Sequence, residues 1–168
     1  YEQIFSKVSR RLTKANNWIA MIRGNHDNPA YFQEQRINHE RFRCVPDYSI
    51  VTACGHTILC IGGAISIDRP YRLAADSRPH SAQTACYWAD EMPHFDREVL
   101  AEINASYKVD TVVTHTSPSF CELITKDGLM NWARRDAALL EDCERERAIL
   151  DQIFESLLEA GQPITHWY

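Results

Sequence analysis

Gly24, Asn25, His26 and Asp27 follow one another directly at the end of the apolar run "WIAMIR", residues 18–23. Asn25 carries a neutral amide oxygen, a hard donor. His26 brings an imidazole and Asp27 a carboxylate. Gly24 lets the backbone turn sharply, so that consecutive side chains can point into one cleft. A second histidine, His115, closes another apolar run, "VDTVVTH", 89 positions after His26. In α/β folds, ligands collect in the loops beyond the carboxyl ends of strands. A mixed oxygen and nitrogen donor set there suits Mn, Fe or Zn better than Ca or a thiolate-bound metal. Taken singly, an Asn-His-Asp tripeptide is most often a turn of capping residues, and a histidine at a strand end is most often a hydrogen-bonded structural one. Two such features, each directly after an apolar strand, point to chemistry. His39, His56, His80, His94 and His166 lack that context and read as surface or structural residues.

The elements that must position these groups follow from periodicity. Ile4, Phe5, Val8 and Leu12 stand at helical spacing over residues 1–16, an amphipathic helix. Residues 18–23 have strand length, and Gly24 punctuates them. "NPAYFQEQ" starts a short helix, with Asn28 as cap and Pro29 in the first helical position. "YSIVTA" (48–53) and "HTILCIGG" (56–63) form a hairpin across Cys54-Gly55. "SIDRPYRLAADSRPHS" reads as a long loop. Phe95, Val99, Leu100, Ile103 and Tyr107 outline a helix, residues 109–115 a β-branched strand, and the stretch from there to about Ala133 is irregular. The clearest helix spans 136–160. Leu139, Leu140, Cys143, Leu150, Ile153, Phe154, Leu157 and Leu158 form its apolar face, and "EDCERER" its wet one. Gly161 ends it, and "ITHWY" begins another strand. This order predicts one α/β domain over residues 1–168, with at least one hairpin and a mixed sheet or two stacked sheets flanked by helices.

The chain has 168 residues, 45% hydrophobic and 24% charged, with a formal net charge of −5. That is the composition of a globular domain with a real core. It offers no electrostatic footprint for a nucleic-acid backbone, so nucleic acid is an unfavoured partner. No apolar run approaches the length of a membrane span. The six cysteines show neither CxxC pairing nor zinc-knuckle spacing, and several sit inside apolar runs. They read as buried free thiols of a reducing, cytoplasmic compartment. Oligomeric state is not encoded in any of these features.

"RGNHD" (23–27) matches the Gly-Asn-His-Asp/Glu motif of the calcineurin-like metallophosphoesterases, and "VVTHTSP" resembles that family's later metal-binding histidine at a strand end. "GGAISIDRPYRL" followed by "YWADEMPHF" is similar to a branch of small bacterial-type members, which resemble Ser/Thr phosphatases. The resemblance covers most of the chain. It implies a four-layer α/β/β/α sandwich with a dinuclear centre of two divalent metal ions (Mn, Fe or Zn) in its loops. Asn25 and His115 would ligate the same ion. His26 would be catalytic, donating to a phosphate oxygen or to the leaving group, while Gly24 and Asp27 shape the turn. Arg72 would contact substrate phosphate, with a plain loop salt bridge as the equal alternative; Arg69 is a weaker candidate.

The activity implied is phosphoester hydrolysis by in-line attack of a metal-bridging hydroxide, with a phosphorylated substrate whose class the sequence leaves open. Two other readings stand beside it. One is a non-catalytic module that kept the fold and lost the metals. The other is a nuclease or cyclic-nucleotide esterase on the same fold. The family pattern also places an Asp-x-His and a Gly-Asp before the Gly-Asn-His motif, and a Gly-His-x-His after a late strand. Residues 1–23 contain no Asp and no His, and no Gly-His-x-His follows. The resemblance thus implies that the bridging carboxylate and the remaining ligands lie outside these 168 residues.

Overall fold

The computed structural model of the protein describes residues 2–77, 85–121 and 127–168. The amphipathic N-terminal segment forms helix α1 (Glu2–Lys14). Its half-buried Phe5, Val8 and Leu12 pack on Phe32, Ile37, Phe42 and Cys44. Ile4, expected on that face, is turned to solvent. The run after α1 is a strand only over β1 (Ile19–Met21). A hairpin of β2 (Asn38–His39) and β3 (Phe42–Cys44) completes a small sheet in the order β1-β3-β2, with β1 parallel and β2 antiparallel to β3. Strands of two and three residues carry too little alternation to be visible as a sequence pattern. Between β1 and β2 lies α2 (Pro29–Gln33). Asn28 caps it, its Oδ1 accepting the Ala30 N–H at 3.0 Å, and Pro29 stands in the first turn.

The second sheet has the order β4-β5-β6-β7, from β4 (Ser49–Ala53), β5 (His56–Ile61), β6 (Thr111–Thr114) and β7 (His166–Trp167). β4 and β5 are the expected hairpin. Cys54 (φ 51°) and Gly55 (φ 85°) both adopt the left-handed conformation that a two-residue turn between twisted strands demands. β5, β6 and β7 run parallel. Leu59, Ile61 and Val112 of this sheet share the main core with Leu100 and Ile103 of α4 (Arg97–Ser106) and with Leu150, Ile153 and Leu157 of α6 (Leu139–Glu159). Two mixed sheets with helices packed on them bear out the α/β class. No helix among the described residues is long and apolar enough to cross a membrane.

Three sequence expectations are corrected. The "SIDRPYRLAADSRPHS" segment is not all loop, since α3 (Arg69–Asp76) occupies its centre and residues 78–81 lie outside the described residues. Pro70 suits the first helical turn, and Arg72 pairs with Asp68 four positions back. The irregular stretch ending at Ala133 contains α5 (Asp127–Ala133). On α6, Leu140 and Leu158 are exposed, whereas Glu146, placed on the wet face, is buried. Leu139, Glu146, Leu150, Ile153 and Leu157 recur at intervals of seven, four, three and four, so Glu146 falls on the inward stripe. The thiol reading also divides. None of the six cysteines forms a disulfide; Cys44 and Cys60 are buried, but Cys54 and Cys86 are exposed.

One buried ion pair joins the segment after β1 to the segment before β4. The Arg23 guanidinium donates from Nε to Asp47 Oδ2 at 2.9 Å, and Nη2 lies 2.8 Å from the same oxygen; both side chains are 3% exposed. Nη1 donates to the Glu91 and Asp90 carbonyls at 2.7 and 3.2 Å, and Nη2 to the Met92 carbonyl at 3.2 Å. The other Asp47 oxygen accepts the Gly62 N–H at 2.8 Å, and the Arg23 carbonyl accepts the Gly63 N–H at 2.8 Å. A Cβ on Gly62 would lie 2.5 Å from Arg23 Cγ. The paired glycines after β5 are therefore the space that Arg23 occupies.

Candidate functional site

Asn25 and His115 meet although 90 positions separate them. Residues 22–24 carry the chain from β1 to Asn25, and His115 is the first residue beyond β6. The structure thus places the ends of one strand from each sheet side by side. His115 Nε2 lies 3.4 Å from Asn25 Oδ1. Two donors bound to one ion at about 2.1 Å stand roughly 3.0–3.4 Å apart, so this amide oxygen and imidazole nitrogen fit a shared divalent cation. The chemistry of the pair, one amide oxygen and one imidazole nitrogen, fits as well. Gly24 makes the approach possible. A Cβ there would stand 2.8 Å from both Cε1 and Nε2 of His115.

Asp27 holds the turn from within, its Oδ2 accepting the Gly24 N–H at 2.7 Å. Between them, His26 is exposed. The Asn25 backbone is anchored from behind. Its carbonyl lies 3.1 Å from Ser66 Oγ and 3.5 Å from Arg72 Nη1. Ser66 is fully buried and is itself held by Glu91, through its N–H at 2.5 Å and its hydroxyl at 2.6 Å. Arg72 is buried too, with Nε on Asp68 at 2.8 Å and Nη1 on the Cys86 carbonyl at 2.8 Å. The Asp68 pair is a salt bridge of the kind the sequence allowed for Arg72. Arg69 is engaged by Asp136 and Asp142 and does not join the site.

Glu91 and Glu146 are the residues that pattern reading missed. Both are buried, and both bind the segment after Gly63: Glu91 holds Ser66, and Glu146 accepts the Ile65 N–H. "GGAIS" and "YWADEMPHF" stand out in the sequence, but nothing in them says which side chains meet. Burial pushes both carboxyls above the usual carboxylate range, against the pull of their hydrogen bonds. The native state therefore holds these protons more tightly than the unfolded chain does. That share of stability is complete below the unfolded carboxyl range and declines as pH rises through the native value. Glu146→Gln keeps an acceptor for Ile65 and removes the titration. Urea midpoints measured from about pH 4 to 8 are expected to shift in favour of the variant as pH rises. A gap that stays constant with pH would contradict the assignment.

A cleft of ≈ 690 Å³ opens beside His26 and Asp27. Cys44 lines it, but burial, with the nearby Asp27 carboxylate, pushes its thiol up to about 11. It is therefore no nucleophile near neutral pH. Among the described residues no group of three or more His, Cys, Asp or Glu side chains is arranged to hold a metal ion. Asn25 and His115 together present two donor atoms, an amide oxygen and an imidazole nitrogen. Comparison of the chain with protein-family models, with curated proteins and with solved structures finds no match.

Proposed function

We propose that the chain is part of a metal-dependent phosphoesterase of the calcineurin-like kind, with Asn25 and His115 ligating one of two divalent cations (Mn, Fe or Zn). The observation that carries this reading is the 3.4 Å approach of Asn25 Oδ1 to His115 Nε2 over a glycine that no other residue could replace without moving the imidazole. The packing of α1 on one sheet and of α4 and α6 on the other supports a four-layer α/β/β/α order. Further ligands are required beyond these two.

Divalent cations at such a site acidify water and neutralise phosphoryl oxygens, which otherwise repel an anionic nucleophile. This chain's residues do the rest. His26, exposed beside the pair, can give a proton to the departing alkoxide oxygen. Asp27 fixes the turn that presents His26 and Asn25. Ser66 and Arg72, both on the Asn25 carbonyl, keep its amide aimed at His115. The full-length protein is expected to hydrolyse p-nitrophenyl phosphate with added Mn²⁺, to hold about two ions per chain, and to lose roughly 10²-fold or more in kcat as His26→Ala. Activity no higher than that of His26→Ala across Mn²⁺, Fe²⁺ and Zn²⁺ would sink the proposal. It would favour a non-catalytic module instead.

A further inference from the structure

The ≈ 690 Å³ cleft beside His26 lies within the range of small-molecule sites, roughly 300–1,000 Å³. Its wall combines two properties. It is rich in flat apolar surface, with Tyr31, Tyr71 and Trp88 lining it. Its charges, His26 apart, are engaged. Asp27 accepts the Gly24 N–H, Asp68 and Arg72 pair with each other, and Arg36 pairs with Glu34 while its guanidinium sits 5.5 Å from the Tyr31 ring centroid. A group bound there meets rings and neutralised pairs, with little to reward a second anionic centre. The cleft adjoins the imidazole that would serve the leaving oxygen, so its occupant is the leaving group.

We infer that this cleft is the leaving-group subsite and that it selects an uncharged planar aromatic group, as in a nucleoside monophosphate or an aryl phosphate. A phosphoserine peptide or a sugar phosphate lacks such a group. The inference rests on the phosphoesterase reading for the word "leaving", but the recognition itself does not. Tyr71 is the residue to remove. It is 60% exposed, so its loss leaves the core intact, and its ring is free to stack on a ligand.

Adenosine, which carries no phosphate, is the probe, titrated calorimetrically into the full-length protein alongside ribose. Saturable adenosine binding is expected, with no ribose binding. It should weaken about tenfold or more in Tyr71→Ala and recover in Tyr71→Phe, which keeps the ring. Thermal melting checks that the variants stay folded. Adenosine binding without any phosphoesterase activity would uphold the subsite and overturn the catalytic reading. Activity that favours glycerol phosphate or a phosphoserine peptide over AMP, with no adenosine binding, would overturn the subsite and leave the catalytic reading standing. Equal binding by parent and Tyr71→Ala would overturn it as well.

Discussion

Arg23→Met is expected to destabilise the protein by ~3–5 kcal/mol, the usual cost of removing one partner from a buried ion pair. Asp47 would be left charged at 3% exposure, keeping among the described residues only the Gly62 N–H as a hydrogen-bond partner. The Asp90, Glu91 and Met92 carbonyls would lose their donors in the same step. Methionine fills the volume, so the loss reports unsatisfied polar groups and not a cavity. Urea denaturation measures it, as a lower midpoint at unchanged slope. The double variant Arg23→Met with Asp47→Asn should recover part of the loss. The asparagine oxygen can still accept from Gly62, and the stranded charge is gone. A single variant within about 1 kcal/mol of the parent would mean that the pair is solvated in solution.

Gly24→Ala carries the second large effect, and here the expected loss is of activity. The new methyl would stand 2.8 Å from the His115 ring, a separation that packed atoms do not tolerate, so the imidazole must move away from Asn25. Displacing a ligand in this way costs on the order of 10²-fold in activity or metal affinity, by analogy with changes around known metal ligands. His115 is exposed and the clashing atoms are the far end of its side chain, so the ring can swing aside at little cost in stability. The denaturation midpoint of Gly24→Ala is therefore expected to stay close to the parent's, while activity and bound metal fall. If Gly24→Ala alone retains full Mn²⁺-dependent activity, Asn25 and His115 do not act on a common ion.

Much of the scaffold was legible in the sequence because its signals are local. The Cys54-Gly55 hairpin follows from two strand-length apolar runs with a two-residue break. The Asn28-Pro29 cap follows from side chains that bond their own neighbours, and α6 from a heptad-like stripe. Asn25, His26, Asp27 and His115 were visible as chemistry because each stands just past an apolar run. The short β2–β3 hairpin and helices α3 and α5 were not, since two or three strand residues show no period, and α3 and α5 are only two turns long and carry Pro70 and Gly128, so their segments read as loop or irregular.

What the sequence determined by itself is an α/β chain with two chemically capable turns, 89 residues apart. Only the tertiary structure decided that those turns touch. Which strand ends become neighbours depends on sheet order, and sheet order depends on packing between residues far apart in the chain. The same holds for Arg23, an ordinary charged residue at the end of an apolar run until Asp47 and two glycines close around it. It holds for Glu146 too, whose place on the buried stripe became a role only when the Ile65 N–H arrived opposite. Local chemistry is written in neighbouring residues, but a partner 90 positions away is chosen by the fold.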